Sequence, residues 1–274
     1  MFVPSHITGF FKIYNDNNKD ILQTGSIGAG ITLNKGVDTT ITKGDNEIYF
    51  NNKKINLCPT IEVINQCNIN NYKISHKSDF PLSSGLGVSG ACALGVANLL
   101  NKDNNKNNNS LEMAHISEVK CGTGLGDVIA QRTKGFVVRE LPGVPNFKTQ
   151  KVQKISIKNI DNYTVVVEIL GKKETSQIIN NPQWIEKINK IGDELLLKLL
   201  KNPTLHNFMD LSYYFAKNTG LATDKIINIC NDLNFTVGAS QAMLGNTVFC
   251  ICENKDLNDV LSILNNPIIC KIYQ

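Results

Sequence analysis

The order of the predicted elements indicates an α+β fold in two parts. Residues 2–75 alternate short β-favouring segments with turn clusters, which is typical of a mixed or antiparallel sheet. A glycine-rich loop then leads into a small-residue apolar segment, Ala91 to Leu100, that is long enough for a buried helix. From about residue 150 strands and helices follow again, so a second α+β unit begins there.

The elements of the first part follow from local signals. Its predicted strands are Ile7 to Tyr14, Gly30 to Leu33, Asp38 to Thr42, Ile48 to Phe50, Tyr72 to Ser75 and Gly135 to Leu141. A second helix is predicted after Ser110, a plausible N-cap, because the apolar positions recur at helical spacing: Leu111, Ala114, His115 and Val119. A short helix with Asp127 in its first turn is expected at residues 127–131, and Pro142 to Pro145 predicts a turn.

The second part reads as strands and long amphipathic helices. The predicted strands are Val152 to Ile157, Tyr163 to Ile169, Thr247 to Cys252 and Ile268 to Tyr273. The predicted helices are Trp184 to Leu200, Leu205 to Asn218, Asp224 to Leu233 and Leu257 to Leu264. Gly238 to Asn246 lies between two predicted strands and is either a glycine-containing binding loop or a plain hairpin connection.

Composition excludes several classes of protein. The formal charge is +4, and only Arg132 and Arg139 among the 28 basic residues are arginines, which argues against a dedicated nucleic-acid-binding protein. The chain has no stretch of about 20 apolar residues and no secretory leader, so we expect a soluble, cytoplasmic protein without a membrane partner. The oligomeric state stays open, with a homodimer among the alternatives.

The eight cysteines do not form the C-x-x-C pairs of a structural zinc site. Cys92, Cys250 and Cys252 lie in apolar runs, where a reduced cysteine behaves as a small hydrophobic residue. We therefore expect reduced cysteines. The run of asparagines and lysines at residues 101–109 is predicted to be a polar loop without an assigned function.

A glycine loop, Ser84 to Gly90, contains the spacing G-x-G-x-x-G. A dinucleotide-binding turn would follow a buried strand and precede an acidic residue about 20 positions later, but polar residues precede this loop and the asparagine run follows it. A Walker A loop is excluded, because Gly171-Lys172 is followed by Lys173 instead of serine or threonine. The remaining interpretations are a phosphate-binding loop at a helix N-terminus and a simple turn.

This loop resembles a motif of the GHMP kinases, Pro-x-x-x-Gly-Leu-Gly-Ser-Ser-Ala. The matching segment runs from Pro81 to Ala91 and departs from the motif at Val88 and Gly90. The resemblance implies a ribosomal protein S5 domain 2-like N-terminal domain over residues 1–150 and a ferredoxin-like C-terminal domain over residues 151–274, with ATP and acceptor between them. It also implies that ATP contacts are made by Pro81, Ser83, Ser84, Gly85, Leu86, Gly87, Val88, Ser89 and Gly90.

The resemblance implies roles for three further side chains. Ser89 and Glu118 would bind Mg²⁺, a cation that prefers hard oxygen ligands. Asp127 would take the proton from the acceptor hydroxyl. Two structural alternatives stay open: Glu118 could be a solvated helix residue, and Asp127 could simply favour the N-terminus of its helix electrostatically.

A narrower resemblance is to the archaeal pantoate kinase family. It rests on Phe2 to Phe11, on Gly25 to Gly30 and on Gly124 to Gln131. It implies transfer of the ATP γ-phosphate to the 4-hydroxyl of pantoate, giving 4-phosphopantoate for coenzyme A biosynthesis. A guanidinium matches a carboxylate with two hydrogen bonds, so the substrate carboxylate is expected at Arg139. The other expected substrate residues are His6, Thr8, Gly25, Ser26 and Gly28. Two structural alternatives stay open here as well: His6 could be a structural histidine, and Arg139 could be a charge on the surface of a strand.

Two alternatives to this function remain. Another GHMP kinase, acting on shikimate, homoserine or a mevalonate derivative, would use the same loops. A non-catalytic regulator could keep the nucleotide loop without turnover. The joint presence of Ser89, Glu118 and Asp127 argues against the second alternative, because a regulator has no chemical need for all three.

Overall fold

The computed structural model of this protein describes residues 1–15, 20–101, 107–144, 151–173 and 176–274. Within them lie a seven-stranded and a four-stranded sheet. The strands of the larger sheet are β1 (Phe2–Tyr14), β2 (Gly25–Lys43), β3 (Glu47–Phe50), β4 (Lys53–Lys54), β5 (Tyr72–Ser78), β6 (Phe136–Arg139) and β7 (Val152–Ile155). Their order is β4-β3-β5-β2-β6-β7, and β1 also pairs with β2.

The long strand β2 organises this sheet, because β1, β5 and β6 all pair with it in antiparallel fashion. The sequence predicted two separate strands here, at residues 30–33 and 38–42. The polar residues between them do not form a turn. Instead, Gly36 lies so close to β1 that a side chain would collide with the Val3 carbonyl, and the register of the pair shifts nearby. A glycine thus keeps the strand continuous at a point that resembles a break.

The helices are α1 (Cys58–Cys67), α2 (Val88–Leu100), α3 (Asn107–Cys121), α4 (Asp127–Thr133), α5 (Ser176–Ile179), α6 (Pro182–Lys201), α7 (Leu205–Thr219), α8 (Asp224–Asp232) and α9 (Leu257–Ile263). The predicted helices are confirmed, with boundaries shifted by a few residues. Helix α1 was not predicted, although Pro59 in its first turn is a favourable start signal. Ser110 lies inside α3 and does not cap it. Residues 102–106 of the predicted polar loop, and Pro145 of the predicted turn, lie outside the described residues.

The smaller sheet contains β8 (Tyr163–Gly171), β9 (Gly238–Gln241), β10 (Asn246–Glu253) and β11 (Ile268–Cys270), in the order β11-β8-β10-β9. Every adjacent pair is antiparallel, and helices connect β8 to β9 and β10 to β11. This is the ferredoxin-like β-α-β-β-α-β arrangement that was expected. The segment from Gly238 to Asn246 forms a hairpin. Its first four residues are β9, and the chain then turns into β10, which pairs with β9 in antiparallel fashion.

One phenylalanine joins the two sheets. The ring of Phe208 in α7 lies 6.3 Å from Phe10 of β1, 5.0 Å from Phe136 of β6 and 6.5 Å from Phe249 of β10, measured between ring centroids. Strand β7 pairs with β6, so the larger sheet extends past residue 150. The domain boundary at that residue stays a prediction. Among the described helices, none has the length and apolar character needed to cross a membrane.

The expectation of reduced cysteines is wrong for two residues. Cys58, the first residue of α1, forms a disulfide with Cys121, the last residue of α3, and their Cα atoms are 6.0 Å apart. The sequence gives no sign of this bond, because 63 residues separate the two cysteines and only the packing of α1 against α3 brings them together. Cys92, Cys250 and Cys252 are free and buried, as expected.

Candidate active site

A cavity opens between the glycine loop and the two sheets. One wall is the phosphate loop, defined here as residues 83–90, of which Ser83 to Ser89 line the cavity. A second wall is the loop that connects α3 to α4, residues 121–127. The remaining lining residues come from β1, β2, β6, the hairpin after β9 and three further apolar positions: Thr8, Phe11, Ser26, Arg139, Met243, Leu244, Leu57, Leu82 and Ile179.

The phosphate loop has the backbone geometry of an anion site. Gly85 and Gly87 adopt positive φ angles of 78° and 63°, a region that glycine enters without steric cost. Gly87 precedes α2 and provides no side-chain cap, so the N–H groups of the first helical turn remain for a ligand, at the positive end of the helix dipole. The C-terminal half of the chain fixes the loop, because the Thr247 hydroxyl donates to the Ser84 carbonyl at 2.7 Å.

Glu118 is a buried carboxylate with one free oxygen. The Thr123 hydroxyl donates to its Oε1 at 2.6 Å, whereas its buried Oε2 has no hydrogen-bond partner among the described residues. Burial raises the pKa of Glu118 to about 7, and the nearby Thr123 and Ser89 hydroxyls oppose this shift. A side chain on Gly124 would overlap Oε2, so the glycine lets the loop between α3 and α4 pass close to that oxygen. An unpaired buried carboxylate oxygen beside a hydroxyl fits a site for Mg²⁺.

Asp127 and His6 form a hydrogen-bonded pair beside Glu118. His6 Nδ1 lies 2.6 Å from Asp127 Oδ1, and the imidazole is fully buried while the aspartate side chain is 22% exposed. Burial lowers the pKa of His6, although the hydrogen bond to Asp127 opposes that shift. A neutral imidazole has one N–H, and the carboxylate can only accept, so Nδ1 carries the proton and donates it to Asp127. His6 therefore orients the aspartate.

Arg139 brings a positive charge to the site and is only 2% exposed. Its Nη1 donates to the carbonyl and to the hydroxyl of Ser26, at 3.0 and 2.9 Å. Burial lowers the pKa of Arg139 to about 10, which leaves the guanidinium charged at neutral pH, and the negative charge of Asp127 opposes the shift. A side chain on Gly126 would overlap Nη1, so this glycine lets the loop cover the guanidinium.

The structure brings most of the predicted site residues to one cavity. Thr8, Ser26, Ser89, Asp127 and Arg139 line it. Six other predicted residues are not among the lining residues: Pro81, Gly90, Glu118, His6, Gly25 and Gly28. Gly28 is required by packing, since its φ is 144° and a side chain there would meet the Phe10 carbonyl.

Sequence reasoning missed several residues of the site. Thr123 holds Glu118, and Gln131 donates to the Gly87 carbonyl at 2.7 Å. Met243 and Leu244 also line the cavity, and they belong to the segment Gly238 to Asn246 that was predicted as either a binding loop or a hairpin connection. Gln131 could have been found from its spacing, because it lies one helical turn after Asp127. The contact of Thr123 with Glu118 has no local signal in the sequence.

Comparisons with known proteins identify relatives of this chain. The model of the GHMP kinases N terminal domain matches residues 56–135. The curated pantoate kinase of Methanocaldococcus jannaschii is 56% identical over 277 residues, with full coverage of both chains. The pantoate kinase of Thermococcus kodakarensis is 28% identical and covers 99% of this chain and 95% of its own.

Solved structures show the same fold. A phosphotransferase related to the CoA biosynthesis pathway superposes with a TM-score of 0.86 at 28% identity, covering 99% of this chain and 95% of that one. A mevalonate kinase from Methanococcus jannaschii superposes with a TM-score of 0.69 at 18% identity, covering 100% and 98%, and shows the fold alone. The fold, the phosphate loop and the full-length similarity together show that this chain belongs to the pantoate kinase family of the GHMP kinases.

Proposed function

We propose that this protein transfers the γ-phosphoryl group of ATP to the 4-hydroxyl of pantoate, with Mg²⁺ bound at Ser89 and Glu118. The observation that carries the proposal is the position of Asp127. Its carboxylate lies where the phosphate loop, Glu118 and Arg139 meet. An acceptor hydroxyl at Asp127 would therefore have a base beside it and a phosphate site within reach.

The phosphate end of the cavity fits a nucleotide. The uncapped N-terminus of α2 supplies N–H donors, and the left-handed glycines let the backbone approach the phosphates closely. Ser89 and the free oxygen of Glu118 would hold Mg²⁺. When bound, the ion would neutralise charge on the phosphates. The residues of the chain supply position and electrostatic stabilisation, on which phosphoryl transfer mostly depends.

Asp127 is proposed as the general base. Its Oδ1 accepts the Nδ1–H of His6, so Oδ2 is the oxygen that remains for the acceptor proton. Because His6 is neutral and its ring is buried in a fixed orientation, it holds the carboxylate in place without donating a full positive charge. Asp127 thus stays an effective proton acceptor while its orientation is fixed.

A second group of lining residues suits the rest of pantoate. The guanidinium of Arg139 would bind the carboxylate, and the Ser26 and Thr8 hydroxyls lie in the same lining. Phe11, Met243 and Leu244 provide an apolar wall. Pantoate has two methyl groups on the carbon next to the phosphorylated CH₂OH, and such a wall would favour it over acceptors without these methyls.

Replacing Arg139 tests the carboxylate site. In Arg139→Ala we expect the KM for pantoate to rise by about 10- to 100-fold, since a charged hydrogen bond to a buried group is lost. The KM for ATP should change little. Arg139→Lys replaces the alanine variant if that variant does not fold, because it keeps a positive charge near Ser26. It should still raise the KM for pantoate, because lysine cannot bind a carboxylate in a bidentate manner. The exposed Arg132→Ala is the matched control.

A panel of acceptors tests the function as a whole. ADP release would be followed with ATP, Mg²⁺ and pantoate, shikimate, homoserine or mevalonate. ADP release is expected with pantoate and with none of the other three acceptors. Turnover of another acceptor in preference to pantoate would identify a different GHMP kinase. ATP binding without ADP release for every acceptor would identify a nucleotide-binding regulator.

A further inference from the structure

Gln131 is a buried polar residue of α4 that the proposed chemistry does not use. It is 1% exposed and lies one helical turn after Asp127, so the two side chains share a face of the helix. Its Nε2 donates to the carbonyl of Gly87 at 2.7 Å. A carbonyl can only accept, so the orientation of the amide group is fixed by chemistry. This bond joins the helix of the base to the phosphate loop.

The Gly87 carbonyl accepts from two donors. The Ala91 N–H donates to it at 3.0 Å as the first hydrogen bond of α2, and Gln131 is the second donor. The Gly87 carbonyl and the Val88 N–H belong to one planar peptide group. Fixing the direction of this carbonyl therefore also fixes the direction of the Val88 N–H. That N–H is one of the uncapped donors at the phosphate end of α2.

The amide group of Gln131 packs closely against Gly87 and Gly90, which lie on either side of Ser89 in the sequence. A Cβ atom on Gly87 would lie 2.9 Å from Gln131 Nε2 and 3.3 Å from Asp127 Cγ. A Cβ atom on Gly90 would lie 3.2 Å from Gln131 Oε1 and 3.3 Å from Glu118 Oε2. The glutamine thus contacts the loop at two glycines, each of which also borders one of the two carboxylates of the site.

We propose that Gln131 is a positioning residue that holds the phosphate loop in register with Asp127 and Glu118. The proposal rests on the assignment of residues 83–90 as the nucleotide-binding loop in the proposed function. Gln131 is not among the residues that line the cavity. It fixes the orientation of the peptide group between Gly87 and Val88. The direction of the Val88 N–H, which is proposed to bind phosphate, is thereby fixed as well.

The variant Gln131→Met tests this role, because methionine fills a similar volume and cannot donate a hydrogen bond. We expect the dissociation constant for ADP, measured by calorimetric titration in EDTA, to rise about tenfold, the effect of losing one well-placed donor that orders the loop. The KM for ATP should rise by a similar factor, and the KM for pantoate should not change. Arg132→Met, on the neighbouring exposed residue, should leave all three values unchanged.

A second variant keeps the test decisive if Gln131→Met does not fold. Gln131→Leu also lacks a donor and is shorter than methionine, so ADP affinity should fall at least as far. A folded variant with a lower melting temperature and wild-type ADP affinity would overturn the proposal and make Gln131 a structural residue. The ADP titration needs no acceptor, so it reports on Gln131 even if the wild-type protein does not phosphorylate pantoate.

Discussion

Replacing Asp127 by asparagine should lower kcat by two or more orders of magnitude while ATP still binds. The amide keeps the shape of the carboxylate, but it cannot take the proton from the acceptor hydroxyl, and general-base catalysis typically contributes about 10²–10⁴-fold. The KM for ATP should stay near the wild-type value, because the phosphate loop is unchanged. Steady-state kinetics together with a nucleotide titration measure both quantities.

Asp224→Asn is the matched control for this variant. Asp224 is the first residue of α8, as Asp127 is the first residue of α4, and both carboxylates favour the positive end of a helix. The two substitutions should therefore cause similar small losses of stability, and only the change at Asp127 should stop turnover. Near-normal turnover in Asp127→Asn would contradict the role of Asp127 as the general base. Its only remaining role would then be to stabilise the N-terminus of α4.

Replacing Glu118 by glutamine should abolish turnover and stabilise the nucleotide-free protein at alkaline pH. Turnover should be lost because the variant lacks the carboxylate that is proposed to bind Mg²⁺. The gain in stability follows from burial, which raises the pKa of Glu118 from 4.5 to about 7. A pKa that is higher in the folded state means that the folded protein holds the proton more tightly, so the free energy of unfolding falls as the pH rises from 4.5 to 7.

The size of this effect follows from the shift. At pH 8 the buried charge costs about 3 kcal/mol, at 1.36 kcal/mol for each unit of pKa, and glutamine removes that cost. Near pH 4.5 and below, the glutamine variant should have almost the same stability as the wild type. Urea unfolding at both pH values, without nucleotide or divalent cation, measures the difference.

Glu112→Gln is the control for this prediction, because Glu112 lies on the same helix, α3, and is less buried. It should affect neither turnover nor the pH dependence of stability. Full activity of Glu118→Gln would exclude Glu118 as a metal ligand. Equal stability of Glu118→Gln and wild type at pH 8 would show that Glu118 is not held in a desolvated site.

The features that the sequence predicts well have local causes. The glycine spacing of residues 85–90 and the family resemblance at Pro81 to Ala91 predicted the phosphate loop, and in the structure Gly85 and Gly87 adopt left-handed backbone angles before α2. The α4 start at Asp127 follows from a preceding glycine and an acidic first turn. The ferredoxin-like order was implied by the family resemblance and agrees with the predicted succession of strands and helices. The signals for the loop and for α4 lie within a few residues of the features that they predict, whereas the ferredoxin-like order depends on the resemblance over the whole second part of the chain.

Other features depend on packing between distant parts of the chain. His6 and Asp127 are 121 residues apart, and Cys58 and Cys121 are 63 apart, so neither pairing can be derived from spacing alone. The continuous strand β2 was divided in the prediction because its polar middle resembles a turn. Met243 and Leu244 reach the cavity only through a hairpin of the smaller sheet. These contacts are products of the tertiary structure.

The most direct test of the central claim is the identity of the phosphorylated oxygen. The protein would be incubated with ATP, Mg²⁺ and pantoate, and the product examined by two-dimensional ¹H–³¹P NMR. We predict that the new phosphorus signal couples to the two methylene protons at C4 of pantoate, and that this signal is absent for Asp127→Asn after the same incubation. Coupling to the C2 proton, or no phosphorylated pantoate at all, would contradict the proposed function.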